Sequence, residues 1–169
     1  YSFAVRLMAP VSTTQILAQR ALQLACGAEC VDWAIGMLEE GHDSPSLRIL
    51  SGLTPPWNHF EIAQLRERVL AELSPPELRL EDPVMAYVRE LVAAAIAEDR
   101  LMARTFGEIA QLAVKLEYPR DLQRFYNLYN AWQDLQHYEE QWYWDGADRN
   151  NIDTIMRKEA EAFVARDGV

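Results

Sequence analysis

Cysteine, histidine and glycine are scarce in this chain, and each scarcity removes a class of function. Of 169 residues only two are cysteines, Cys26 and Cys30, which flank Gly27. One pair is not a disulfide framework, and with no visible secretory signal the expectation is a reducing, cytoplasmic setting. The histidines are His42, His59 and His137, and none stands beside a G-x-S-x-G elbow or a Cys–His signature. That lowers the odds of a nucleophilic hydrolase, although triads assemble in space rather than in sequence. Seven glycines form neither a Walker loop nor a G-x-G-x-x-G turn, so no phosphate cradle or cofactor is expected. Long apolar runs are missing too. Leu91 to Ala97, bounded by Glu90 and Glu98, falls well short of the roughly 18 residues a membrane span needs. Basic side chains are outnumbered, 16 against 26 acidic ones, for a net charge of −10. Such a surface repels phosphate backbones and attracts cationic partners, which points to a basic protein rather than nucleic acid or membrane.

What is present is a helical pattern. Half the residues are hydrophobic and a quarter charged, enough apolar surface to exclude disorder. Ser12 with Gln15 forms a capping box ahead of Ile16, Leu17, Ala21, Leu22 and Leu24. A second helix is expected from Cys30 to Glu40, with Val31, Ala34, Ile35 and Leu38 inward. Asp43 or Ser44 caps a short helix that begins at Pro45, carries Leu47, Ile49 and Leu50, and stops at Gly52. Asn58 with Glu61 opens a helix through Leu73, which Ser74-Pro75-Pro76 ends. Asp82-Pro83 starts the next, and Leu101 to Leu116 reads as another, halted before Tyr118-Pro119. Arg120 to about Tyr143 is expected to be the longest, closed by Asp145-Gly146. Asn150 or Asn151 caps the last, which carries Ile152, Ile155, Met156, Ala160 and Phe163 and finishes near Gly168. Only Tyr1 to Leu7 alternates in the manner of a short edge strand or extended arm. The fold class is therefore all-α, a compact bundle of about seven or eight helices. It divides into an N-terminal half, residues 1–74, a linker 75–82, and a C-terminal half, 83–169.

The stretch from Tyr118 to Asp148 carries the functional signal. Between Asp121 and Asp148 the only Lys or Arg is Arg124, while eight aromatic rings and several carboxylates crowd together. On a helix of about 100° per residue, Leu122, Phe125, Tyr129 and Trp132 share one side. Leu128, Ala131, Leu135, Tyr138 and Trp142 form a second stripe. Both are expected to be core. Trp142, Tyr143 and Trp144 are consecutive, however, and three adjacent helical residues point three ways, so at least one ring should reach the surface. The expected partner-binding set is Asp134, Tyr138, Glu139, Glu140, Trp142, Tyr143, Trp144, Asp145 and Asp148, with rings as anchors and carboxylates meeting Lys or Arg. Asp134, His137 and Glu140 recur every three residues and give an alternative, a metal-dependent or acid–base enzyme. They lack the second Glu-x-x-His motif of di-iron bundles. A solvated helix face explains them more simply. Self-association through the same rings is a third reading. Glu39 and Glu40 oppose the dipole at a helix C-terminus and are expected to find partners, Arg48 or another protein.

Gly41-His42-Asp43-Ser44-Pro45-Ser46-Leu47-Arg48-Ile49-Leu50-Ser51-Gly52-Leu53, then Phe60-Glu61-Ile62 and Leu65 to Leu73, resembles a pattern in uncharacterised bacterial helical proteins. There A-x-x-x-L-x-x-G-x-D-S-P-S-L-R-x-L-x-G-L precedes a helix ending in A-x-x-E-L, and Trp33 to Leu38 fills the first part here. Some relatives resemble immunity proteins that accompany bacterial toxins. The resemblance thus implies a helical fold, no catalytic residues, and a toxin domain as the basic partner. Folding alone also accounts for the motif: a cap, two core leucines and a closing glycine.

Overall fold

The computed structural model describes residues 10–98 and 102–166, and among these every regular element is helical. The helices are α1 (Thr13–Ala21), α2 (Ala28–Glu39), α3 (Pro45–Ser51), α4 (His59–Leu73), α5 (Pro83–Ala97), α6 (Met102–Lys115), α7 (Arg120–His137) and α8 (Ile152–Arg166). A short 3₁₀ turn, Pro76–Arg79, lies between α4 and α5. The fold is all-α. The alternating Tyr1–Leu7 segment, the expected start at Leu101 and the end near Gly168 lie outside the described residues. The chain divides into two compact units, Tyr1–Tyr87 and Val88–Val169, so the division falls within α5.

Side-chain caps open α1, α3 and α4 of the first unit. Ser12 accepts from the Gln15 N–H at 3.0 Å, Ser44 from Leu47 at 3.2 Å and Asn58 from Glu61 at 3.2 Å. Each satisfies an N–H that the helix itself leaves unpaired. In the same way Asp82 accepts from Met85 at 3.0 Å ahead of α5. The core gathers Ile16, Leu17, Val31, Trp33, Ala34, Met37, Leu47, Leu50, Ile62, Leu65, Val69 and Leu70. Trp33 is buried to 1% exposure and its indole N–H donates to Thr13 Oγ1 at 3.1 Å, so its one polar atom is not orphaned. Ile35, expected to point inward, is exposed instead, as is Ile49 on α3. The buried face of α2 runs through Cys30, Val31, Ala34 and Met37, and Ile35 stands about 100° round from Ala34. α3 is only seven residues long and buries just Ser46, Leu47 and Leu50.

The Asp43–Leu53 motif is a folding device. Glu72, on α4, accepts from the Ser46 N–H at 3.1 Å and the Ser46 hydroxyl at 2.7 Å, tying α4 to the start of α3. Arg48 forks onto both carboxylate oxygens of Asp43, not onto Glu39 or Glu40. Glu40 instead faces His42 at 3.9 Å. Cys26 and Cys30, expected as thiols, are joined by a disulfide with Cα atoms 5.9 Å apart, and both are buried.

In the second unit α6 and α7 pack as a pair, and α8 lies against both. Phe125 is the shared knob: its ring meets Phe106 edge-on at 4.9 Å and Phe163 at 5.0 Å. Gly107 lets the helices close, because a Cβ there would stand 2.9 Å from the Tyr129 ring. α6 ends with Glu117 and Tyr118 left-handed. The Tyr118 N–H returns to the Ala113 carbonyl at 2.8 Å and that of Glu117 to Val114 at 3.2 Å, the paired bonds of a Schellman stop. The buried line of α7 is Leu122, Phe125, Leu128, Ala131 and Leu135. It takes members of both expected stripes. Tyr129 and Trp132 are only half-buried and stack on each other, while Tyr138 and Trp142 are exposed.

Candidate docking loop

The long helix stops six residues before the expected Tyr143. Its C-cap is Tyr138, whose backbone is extended (φ −123°, ψ 161°) although its N–H still reaches the Asp134 carbonyl at 2.7 Å. Continuing would place Glu139 and Glu140 against the negative end of the macrodipole. Other groups supply what the lost helical turns would have given. Arg149, eleven residues beyond, donates from Nε to the Leu135 carbonyl at 2.7 Å and from Nη2 to the Tyr138 carbonyl at 2.8 Å. A cationic side chain on the last carbonyls of a helix satisfies both their lone pairs and the dipole.

Gln141 organises the backbone of the loop. Its Oε1 accepts from the Tyr143 N–H at 2.8 Å and the Trp144 N–H at 2.9 Å, while Nε2 donates to the carbonyls of Trp144 and Ala147. One amide therefore uses both its acceptor and its donor ends on neighbouring peptide groups, a local alternative to helical bonding. Gly146 supplies the left-handed turn at φ 77°. Asp148 Oδ1 accepts from the N–H groups of Asn150 and Asn151 at 2.7 and 3.0 Å. Asn151 turns back, accepting from the Asp148 N–H at 2.7 Å and donating to the Gly146 carbonyl at 2.8 Å. Its side chain thus serves the loop, and only its carbonyl receives the first bond of α8, from Ile155 at 2.9 Å.

This bracing holds aromatic side chains in solvent. Trp142 is 88% exposed, Tyr138 64% and Tyr143 43%, and Trp144 is partly covered. At least one of the three consecutive rings does reach the surface, but because they sit on a loop, not because a helix fans them out. Glu139, Glu140 and Asp145 are exposed beside them in sequence, and among the described residues no cationic side chain pairs with any of the three. Asp148 is turned into the loop backbone, so it braces the surface more than it offers charge. Asp134 is half-buried on α7, one turn before the loop. At the foot of the loop, Trp132, Leu135, Gln136, Arg149, Ile152 and Asp153 line a groove of about 430 Å³.

The metal alternative loses its geometry. α7 ends at His137, so Glu140 leaves the three-residue register that placed it with Asp134 and His137. Among the described residues no three His, Cys, Asp or Glu side chains lie close enough to hold one ion. Gln141 and Arg149, which brace the loop, were passed over by sequence reasoning, and Asn151 was read only as a helix cap. Their signal was the dense run of Asp, Gly and Asn from Asp145 to Asn151, the composition of a structured turn. No protein-family model, curated protein or solved structure matches the chain. No helix among the described residues is long and apolar enough to cross a membrane.

Proposed function

We propose that this chain is a protein-binding module whose loop 138–148 docks a basic protein. The observation that carries the reading is Trp142, 88% exposed on a loop whose backbone is fixed by Gln141. A large ring held in water costs hydrophobic free energy unless a partner covers it, and preorganisation lowers the entropy lost when one does. The partner's charge is set by complementarity: the carboxylates of Glu139, Glu140 and Asp145 have no cationic partner among the described residues, and the chain carries a net charge of −10. The resemblance of the Gly41–Leu53 motif to proteins that look like toxin-immunity proteins supports a toxin domain as that partner, neutralised by occlusion in the cytoplasm. There the Cys26–Cys30 pair would be kept reduced. Its sulfurs belong to residues four apart in the first unit, so the bond restrains the unfolded chain little and its loss leaves the docking loop, in the second unit, intact.

The product of a neighbouring gene, used as bait, tests this. Tyr138→Ala with Trp142→Ala is expected to weaken capture by about 2 kcal/mol or more. Undiminished binding by that double variant would remove the assigned surface.

A further inference from the structure

Resting on the docking reading, we infer that the loop selects arginine over lysine, with a guanidinium of the partner stacked on the Trp142 ring and hydrogen-bonded to Glu139 or Glu140. Three observations lead there. The indole is the most exposed large hydrophobic side chain among the described residues, at 88%, which leaves most of its surface open to a planar group. The carboxylates adjacent in sequence are exposed and have no cationic partner among the described residues. The loop's own guanidinium is committed elsewhere, since Arg149 spends Nε and Nη2 on the Leu135 and Tyr138 carbonyls.

Chemistry then separates the two cations. A lysine ammonium is compact and strongly hydrated, and beside a solvent-exposed ring it gives up its water poorly. Guanidinium is flat and weakly hydrated. It lies on an aromatic face and still presents its N–H fork to a carboxylate in its own plane. An exposed indole, two and three residues along the loop from exposed carboxylates with no cationic partner among the described residues, matches that second pattern. Charge alone would not discriminate.

The experiment is a titration of the full chain, at low ionic strength, with nona-arginine, nona-lysine and nona-citrulline peptides. Because the net charge attracts any polycation, the readout is the affinity ratio. Nona-arginine is expected to bind at least about threefold tighter than nona-lysine, and nona-citrulline, flat but uncharged, not at all. Trp142→Ala should bring the ratio to about one, and Glu139→Gln with Glu140→Gln should weaken both cationic peptides. An arginine-to-lysine ratio that Trp142→Ala leaves unchanged overturns the stacking assignment while basic docking at the carboxylates stands. Failure of both cationic peptides to bind overturns the two readings together.

Discussion

Trp33 and Trp142 are the same side chain put to opposite uses, and the difference is readable atom by atom. Trp33 is 1% exposed, packs in the first unit's core and donates its N–H to Thr13. Removing it deletes the transfer free energy of a large ring, leaves a cavity that the surrounding helices cannot fill, and leaves the Thr13 hydroxyl with only its weak bond to Met37 Sδ. Trp33→Ala should therefore cost about 3–5 kcal/mol of stability in denaturant unfolding. Trp142 is 88% exposed. Its removal leaves water where water already was, so Trp142→Ala should change stability by less than about 0.5 kcal/mol while weakening partner capture. A comparable loss of stability in both variants would mean that Trp142 is structural and that its exposure has been misread. The same contrast marks what composition alone reveals. An excess of rings near the C-terminus was legible from the residues, but which ring is core and which is surface depends on neighbours that are distant in sequence.

At the scale of elements, most capped helix starts were legible, as were the ends of α3 before Gly52 and of α4 at Leu73, but the end of α7 was not. Ser12, Ser44, Asn58 and Asp82 each announce a start because the capping group lies three residues from the N–H it serves. The end of α7 depends on Arg149, which lies fourteen residues from Leu135, and an unbroken aromatic heptad hid it. The loop itself hangs on Gln141. Gln141→Ala removes two acceptor and two donor bonds, and at about 1 kcal/mol for a typical net bond it should cost on the order of 1–2 kcal/mol, since part of the backbone is then rehydrated. More specific is the expected consequence: faster hydrogen exchange at Tyr143 and Trp144, and a faster off-rate from a cationic partner. Unchanged exchange at those two amides would show that the loop is held by something else. The α3–α4 clamp makes a pH prediction. Hydrogen bonds from Ser44 and Ser46 hold the Glu72 carboxyl below its ordinary range. A depressed folded pKa means that this contribution is present above the unfolded value and is lost as pH falls through the folded one. Asp43, held down by Arg48, acts in the same direction. Stability should thus fall on acidification below the ordinary carboxylate range, and Glu72→Gln should flatten that slope; an identical slope would put the acid sensitivity elsewhere.

At the scale of the whole molecule, the excess of 26 acidic over 16 basic residues acts through space, not through any one contact. It sets how fast a cation arrives more than how long it stays. A field of this sign steers cationic partners over distances up to the Debye length, and under the proposed docking reading the ring contact at Trp142 would decide the lifetime once water has been expelled. The two contributions respond differently to salt. Raising ionic strength from roughly 0.01 M to about 0.15 M shortens the Debye length from about 30 Å to about 8 Å. The association rate with nona-arginine should then drop by at least about tenfold, while the dissociation rate changes several-fold less. Neutralising Asp134 or Asp145 should lower the association rate in low salt and have little effect in high salt. Trp142→Ala should raise the dissociation rate at both. If salt acted mainly on dissociation, the carboxylates would be contacts in the bound complex rather than the source of a steering field. The division of labour between rings and charges would then be reversed.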